Sequence, residues 1–342
     1  MEKILNTSGL GVSGRQNELI ELALTYKFNS VEVDMNDLIG RHDTMGKEFA
    51  CQFLQSAKID IGTFDLPVDL DASDADFETA CKHLDTIFAL CETLGGKRCR
   101  VKIATSSEEA FQANFERHRA RLFDLGDKFA AANMKLGLAL SLPTENEKAN
   151  KFIQTAEEIL TLVKTVGHDA VGLHLDTWHW QATGGGMDQI SEVDVNKITD
   201  IAMSDMSADA DPAKLTGGER ALPGDNDPSF SIKAFEQLKS NGYEGGLSFA
   251  THMSTYANVN RDVIVNRVSK RLDCLVAGES FDSIDERPVS ASYMDKDKKT
   301  EDAKPAADGE AKADGEAKAD DAKPESKEGA KPEAAKDAVA AE

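Results

Sequence analysis

Eight short apolar segments alternate with segments of helical periodicity along the first 280 residues, and this alternation constrains the fold more than any other feature. Strand-like segments of this kind, each followed by a helix, are typical of parallel α/β folds. Eight such units predict an α/β protein of the (β/α)8 TIM barrel class. The predicted strands lie at 4–5, 30–33, 59–64, 99–103, 136–142, 171–175, 198–203 and 246–249. The predicted helices lie at 16–27, 45–57, 75–94, 107–132, 146–166, 187–196 (weakly), 229–241 and 258–277.

An open doubly wound sheet is the alternative architecture for the same alternation. That class commonly places a Gly-rich dinucleotide fingerprint after its first strand. The pair Gly9 and Gly11 alone is weak evidence for such a motif. The barrel is therefore the preferred prediction, with Ser229 as a candidate N-cap of the helix at 229–241.

The composition changes sharply near residue 290. Residues 294–342 contain no aromatic residue and no Leu or Ile, and the sequence GEAKAD occurs twice in tandem, at 309–314 and 315–320. Such a segment cannot bury enough apolar area to offset the entropy of ordering it. We expect a barrel at 1–280, a linker at 281–293 and a disordered acidic tail at 294–342.

The overall charge and the cysteines limit the partners and the compartment. A formal net charge of −22 repels nucleic acid phosphates, so a nucleic acid partner is not expected. No apolar stretch approaches the ~20 residues of a membrane span, and the first residues lack the apolar core of a signal peptide. The five cysteines are odd in number and lack metal-ligand spacing. These features favour a reducing, cytoplasmic location, and they leave the oligomeric state open.

The segment 171–186, VGLHLDTWHWQATGGG, is the strongest candidate for a functional site. A buried strand ends at Asp176, and His179 follows three residues later. Sites in parallel α/β folds are built at the carboxyl ends of strands. Asp176 and His179 could hold a metal, move a proton, or form a structural hydrogen bond that closes the loop after the strand.

Four segments carry a family resemblance. They are LALSLP at 138–143, VGLHLDTWHWQATGG at 171–185, ALPGDND at 221–227 preceded by Arg220, and GYEGGLSF at 242–249. With them the chain resembles the xylose isomerase-like TIM barrel superfamily of sugar phosphate isomerases/epimerases and inosose dehydratase-like proteins. Endonuclease IV is a distant relative. The resemblance implies a barrel over residues 1–280 and a small sugar or polyol as the ligand.

The resemblance also implies a divalent metal, such as Mn, Mg, Zn or Co, at the mouth of the barrel. Family members hold it with Glu, Asp, His and Glu at the ends of strands 5 to 8, and it stabilises the enediolate formed on proton removal. Only Asp176 matches here, because the other three positions fall on Ser141, Ala202 and Ala250. One carboxylate and three small side chains do not saturate a hard cation. We expect weak metal binding, or none, at this position.

Other residues near the predicted mouth have two interpretations each. His252 could serve in a relocated metal site with Asp176, His179 and Asp205, or it could be a polar rim residue. Trp178 could stack on a sugar or plug a loop. Arg220 could contact a substrate oxygen or phosphate, or form a structural ion pair. Ser141 could border an enlarged pocket. His174 is predicted to be a satisfied core histidine, and no chemistry is assigned to Glu32, Asp34 and Asp65.

Two functions follow from these residues. The first is a catalytically altered barrel, a pseudoenzyme candidate, with an eroded metal site and a polyol- or sugar-sized pocket. The second is an active sugar isomerase or epimerase that uses relocated ligands or an Asp176/His179 acid–base pair. An endonuclease IV-like nuclease needs a metal cluster and a basic groove, and the sequence shows neither.

Overall fold

In the computed structural model, eight parallel strands form the central sheet of the barrel. The structure describes residues 1–143, 147–211, 214–225, 229–252, 254–256 and 258–284. The strands are β1 (Glu2–Leu5), β2 (Ser30–Val31), β3 (Asp60–Ile61), β4 (Arg98–Lys102), β5 (Lys135–Ala139), β6 (Val171–Asp176), β7 (Ile198–Met203) and β8 (Gly246–Phe249). Their order follows the chain, and β8 pairs with β1.

The sheet closes between β3 and β4. A parallel bridge joins Asp65, just beyond β3, to Arg100 in β4. The Arg100 amide donates to the carbonyl of Phe64 (2.8 Å), and the Leu66 amide donates to the carbonyl of Arg100 (2.8 Å). Every barrel strand therefore has a neighbour on each side, which confirms the predicted (β/α)8 barrel and excludes the open sheet.

Eleven α-helices surround the sheet in the described part of the chain. They are α1 (Gln16–Thr25), α2 (Met35–Met45), α3 (Lys47–Ala57), α4 (Asp74–Cys81), α5 (Leu84–Thr93), α6 (Phe111–Ala131), α7 (Ala156–Val166), α8 (Thr177–Ala182), α9 (Met187–Glu192), α10 (Phe230–Ser240) and α11 (Arg261–Ala277). Ser229 caps α10 as predicted, because its hydroxyl accepts from the Ile232 amide (3.2 Å).

Two helix predictions were wrong in detail, and two helices were not predicted. The predicted helix at 75–94 is two helices, because the amides of Lys82 and His83 donate to carbonyls three residues back, which tightens and ends α4. The predicted helix at 146–166 begins only at Ala156, where Thr155 and Glu158 form a capping box. Helices α2 and α8 were not predicted, and each begins directly after an aspartate that caps it.

Small residues allow the strands to pack closely inside the barrel. A side chain at Gly172 would collide with the backbone carbonyl oxygen of Lys197, and one at Gly246 would collide with the Arg98 guanidinium and Ile4. Below the mouth, the imidazole Nδ1 of His174 lies 2.9 Å from the buried Asp200 carboxylate. His174 is therefore the satisfied core histidine that the sequence predicts.

None of the helices in the described ranges is long and apolar enough to cross a membrane. All five cysteines are free, and Cys51, Cys91 and Cys99 are buried. Phe281, at the start of the predicted linker, packs against the core. The Arg271 Cζ lies 5.4 Å from the centre of the Phe281 ring. The predicted tail at 294–342 lies outside the described residues.

Candidate functional site

Asp176 lies at the carboxyl end of β6 and also caps α8. Its Oδ1 accepts hydrogen bonds from the amides of Trp178 and His179, both at 3.0 Å. The Thr177 hydroxyl donates to the carbonyl of Ser204 (2.9 Å) and accepts from its amide (3.0 Å), which ties the start of α8 to the end of β7. These bonds fix the carboxylate at the mouth of the barrel.

Arg220 enters the mouth from the loop after β7. It belongs to a short antiparallel pair in which Arg220 faces Met206 and Ala221 faces Asp205. Only 7% of Arg220 is exposed. Its Nη1 lies 2.9 Å from Asp176 Oδ2 and donates to the Ser204 hydroxyl (3.0 Å) and the Ala250 carbonyl (3.1 Å). The guanidinium therefore links the ends of β6, β7 and β8.

The Trp178 ring supports the guanidinium from one side. The Arg220 Cζ lies 4.5 Å from the ring centre, a cation–π contact. Trp178 and Trp180 are both fully buried. This burial favours the plugging interpretation of Trp178, because a ligand could not reach the face of a buried ring.

The ionisation of Asp176 depends on this cation. Burial alone would raise the pKa of the carboxyl, but the Arg220 guanidinium and His179 outweigh burial and hold the pKa well below its usual range. Asp176 is therefore a carboxylate at neutral pH, and the mouth contains a compensated pair of opposite charges.

His179 completes the cluster from the first turn of α8. Its Nδ1 lies 3.2 Å from Asp176 Oδ2 and 3.1 Å from Arg220 Nη2. When Nδ1 accepts from the guanidinium, the ring proton resides on Nε2. The side chain is 24% exposed, so the imidazole borders the solvent above the cluster.

The residues at the mouth do not fit a divalent metal. Ala202 pairs directly with Asp176 across β6 and β7, so the strand register puts an alanine beside the carboxylate. Ser141 follows β5, and Ala250 follows β8 and gives only its carbonyl, which accepts from Arg220. The described residues contain no group of three or more His, Cys, Asp or Glu side chains that could hold a metal ion.

His252 and Asp205 make their hydrogen bonds outside the cluster. The His252 Nδ1 lies 2.7 Å from the Ser254 hydroxyl, and its ring lies near Gly217 on the loop after β7. Asp205 is buried and accepts from the Ser231 amide (2.9 Å) at the start of α10. Strand alternation explains the position of Asp205, because Ser204 points into the barrel and its neighbour Asp205 must point outward.

The sequence does not reveal that Arg220 lies inside the barrel. It shows only an arginine before a Leu-Pro-Gly segment, and it is compatible both with a substrate contact and with an ion pair. The signal that could have found it is the loss of three ligand positions beside a retained Asp176, because a buried carboxylate without a metal needs another cation.

A family model and two characterised proteins match this chain. The family model described as xylose isomerase-like TIM barrel matches residues 20–267. An inosose isomerase of Halalkalibacterium halodurans is 29% identical over 130 residues, which cover 34% of this chain and 44% of that protein. An L-ribulose 3-epimerase of Mesorhizobium japonicum is 25% identical over 198 residues, 57% of this chain and 62% of that protein. The matches thus span less than two thirds of either relative.

Solved structures share the fold. A xylose isomerase domain protein of Alicyclobacillus acidocaldarius superposes with a TM-score of 0.72 at 20% identity, covering 81% of this chain and 98% of that chain. The IOLI protein with a binding zinc atom superposes with a TM-score of 0.68 at 18% identity, covering 82% of this chain and 100% of that chain. A D-psicose 3-epimerase with D-tagatose from Clostridium cellulolyticum H10 gives 0.61 at 14% identity, covering 81% and 99%.

Proposed function

Because the chain belongs to the xylose isomerase-like TIM barrel family, we propose that it binds a small polyol or sugar and that its metal-dependent chemistry has been lost or altered. The observation that carries the proposal is the Arg220 guanidinium, which donates to Ser204 and Ala250 and pairs with Asp176. A cation built into the chain neutralises the one carboxylate that remains of the metal-ligand set implied by the family resemblance.

The identities of the three neighbouring residues support this proposal. Ser141, Ala202 and Ala250 offer no charged ligand, and Asp176 is already engaged by two amides and a guanidinium. Binding a metal would require displacement of Arg220, which would leave its buried positive charge beside a second cation. The inosose isomerase and the L-ribulose 3-epimerase suggest a polyhydroxy compound as the ligand class.

A second candidate function is an active isomerase or epimerase that uses Asp176 and His179 as an acid–base pair. It is favoured by the 3.2 Å distance between His179 Nδ1 and Asp176 Oδ2 and by the partial exposure of the imidazole. In this function Nδ1–H donates to Asp176 instead of accepting from Arg220, and the unprotonated Nε2 takes a proton from the substrate carbon and returns it. Positioned acid–base groups of this kind contribute about 10²–10⁴-fold to a rate.

One experiment separates the two functions. The full chain is incubated in D₂O with EDTA and with myo-inositol, L-ribulose or D-tagatose, and proton NMR follows both saturation transfer and carbon-bound protons. The altered barrel predicts saturation transfer to at least one compound without loss of a carbon-bound proton signal. Deuterium incorporation into a ketose that disappears in His179→Gln would favour the active enzyme, and saturation transfer to none of the three would reject ligand binding.

A further inference from the structure

A cavity formed by the described residues lies away from Arg220, on the side of the barrel built by β1 to β4. Its volume is about 860 Å³, within the range of ~300–1,000 Å³ that is typical of ligand sites. It opens between α1 and α2, beyond the carboxyl ends of β1 and β2. None of the residues that line it belongs to the Asp176, His179, Ser204, Arg220 and Ala250 cluster.

The loop after β1 borders both the cavity and the cluster around Arg220. The Ser8 hydroxyl donates to Glu32 in the cavity (2.7 Å), whereas the Gly9 carbonyl accepts from the Thr251 hydroxyl (2.9 Å) next to Ala250. A side chain at Gly9 would come within 3.0 Å of the Ala250 Cα, so this loop packs directly on the end of β8. The loop therefore lies between the Arg220 cluster and the cavity.

An ion network forms the inner wall of the cavity, with largely buried Glu32 and Arg100 side chains and a half-exposed Asp65 side chain. The Glu32 side chain is 8% exposed and accepts from the Ser8 hydroxyl and from Arg100 Nη2. Arg100 also donates from Nε to Asp65 (2.5 Å). Burial would lower the pKa of Arg100, but Glu32 and Asp65 outweigh burial and raise it above its usual value. One buried carboxylate and one half-exposed carboxylate thus share the Arg100 guanidinium at this wall.

We propose that this cavity is the ligand pocket of the protein and that it takes a neutral polyol or free sugar rather than a sugar phosphate. The inference rests on the proposed function and places its ligand away from Arg220. Hydroxyl groups suit the inner wall because they donate to carboxylates and accept from guanidinium groups.

Charge complementarity selects the neutral ligand. Four acidic side chains and three arginines line the cavity, and the list is Glu32, Asp34, Asp37, Asp65, Arg15, Arg41 and Arg100. Arg100 is paired with Glu32 and Asp65, and Arg41 lies 2.9 Å from Asp37. The excess of one negative charge and the pairing of two arginines disfavour a phosphate group.

The outer wall offers an apolar surface for the carbon-bound face of a sugar. Phe53 of α3 lines the cavity and remains 43% exposed. An aromatic ring that is open on one side can stack on C–H groups. Leu19, Val33 and Leu38 continue this apolar lining toward α1 and α2.

A large side chain placed at an exposed residue of the cavity wall tests the proposal. Asn36, in the first turn of α2, lines the cavity and is exposed, so Asn36→Trp adds bulk there without disturbing the core. Gln55→Trp is the matched control, because Gln55 is exposed on α3 and does not line the cavity. Each full-length variant is titrated with myo-inositol, L-ribulose and D-tagatose by saturation-transfer NMR, and its melting temperature is compared with that of the wild type.

We expect Asn36→Trp to weaken the binding of the compound that binds the wild type at least about tenfold, as loss of one to two good hydrogen bonds would. Gln55→Trp should bind as the wild type does. Equal binding by Asn36→Trp and the wild type would overturn this location and leave the proposed function standing. Binding of none of the three compounds to the wild type would overturn both.

A second measurement tests the ligand chemistry through Glu32. The wild type should bind D-tagatose at least about tenfold more tightly than D-tagatose 6-phosphate. A tenfold ratio corresponds to the free energy lost when one charged group is left without a partner. Glu32→Gln keeps the shape and removes one negative charge, so it should shrink that ratio. A wild type that prefers the phosphate, or a ratio unchanged in Glu32→Gln, would contradict the assignment.

Discussion

The Arg220 guanidinium lies 2.9 Å from the Asp176 carboxylate, and each side chain is about nine-tenths buried at the mouth of the barrel. The pair connects the loop after β7 to the end of β6, and it is reinforced by Ser204, Ala250 and the Trp178 ring. A buried ion pair with this many hydrogen bonds fixes the positions of its partners. Removal of one partner leaves an uncompensated charge.

Arg220→Met should lower the free energy of unfolding by about 3–5 kcal/mol, because Asp176 then stays buried without its cation. Urea unfolding of the full chain measures this change. The surface change Arg119→Met is the control, because the Arg119–Glu116 pair is exposed and should cost less than about 1 kcal/mol.

The double variant Arg220→Met/Asp176→Asn checks the cause. Replacing the orphaned carboxylate by an amide removes the buried charge, so the double variant should be more stable than Arg220→Met alone. Equal decreases in the free energy of unfolding for Arg220→Met and Arg119→Met would show that the mouth is solvated and that the Asp176–Arg220 pair does not stabilise the barrel.

Acid should destabilise the barrel through Asp200. Burial would raise the pKa of this carboxyl, but His174 and the hydroxyl of Thr63 hold the pKa well below its usual range. As the pH falls through about 4, the unfolded chain binds a proton at this position and the folded chain does not. Stability is therefore present above the unfolded pKa and is lost as the pH falls toward the folded pKa.

Asp200→Asn tests this linkage. The variant should be less stable than the wild type at pH 7, and its unfolding free energy should fall less steeply between about pH 5 and pH 3. Asp124→Asn, at an exposed position of α6, is the matched control and should keep the wild-type slope. An identical slope in Asp200→Asn and the wild type would mean that other carboxylates dominate the acid response.

The barrel could be predicted from the sequence because its information is local. Each apolar run, such as 171–175 or 246–249, marks a strand at the observed place. Helix α2 was missed because Gly40 and several polar residues dilute its apolar period. The Asp176–Arg220 pair joins residues 44 positions apart, and the Glu32–Arg100 pair joins residues 68 apart, so no local pattern reports them.

Close strand packing makes Gly172 intolerant of a side chain. Gly172→Ala should lower the free energy of unfolding by about 1–3 kcal/mol or more, because the added methyl group meets the backbone of Lys197 and backbone cannot move aside cheaply. Gly40→Ala is the opposite case, since nothing lies within 4 Å and the residue is in α2. It should raise stability by about 0.5–1 kcal/mol. Thermal and urea unfolding of both variants measure the contrast, which would vanish if β6 could move away from Lys197.

Thiol reactivity should divide the five cysteines into two groups. Burial raises the pKa of the Cys91 thiol to about 12, and Cys51 and Cys99 are also buried, with pKa values raised by burial. Ellman's reagent at pH 8 should therefore modify only the partly exposed Cys81 and Cys274 in the folded protein, and all five after denaturation. Rapid modification of Cys91 in the native protein would mean that α5 opens from the barrel.

Calorimetric titration of the full chain with Mn²⁺, Mg²⁺, Zn²⁺ and Co²⁺, beside Asp176→Ala, measures whether the mouth of the barrel binds a metal. We predict that the two proteins give the same heats, because Arg220 already neutralises the carboxylate at the mouth and Ser141, Ala202 and Ala250 add no charged ligand. Stoichiometric binding by the wild type that disappears in Asp176→Ala, while both remain folded, would show that a metal displaces Arg220 from Asp176 and that the metal site is retained.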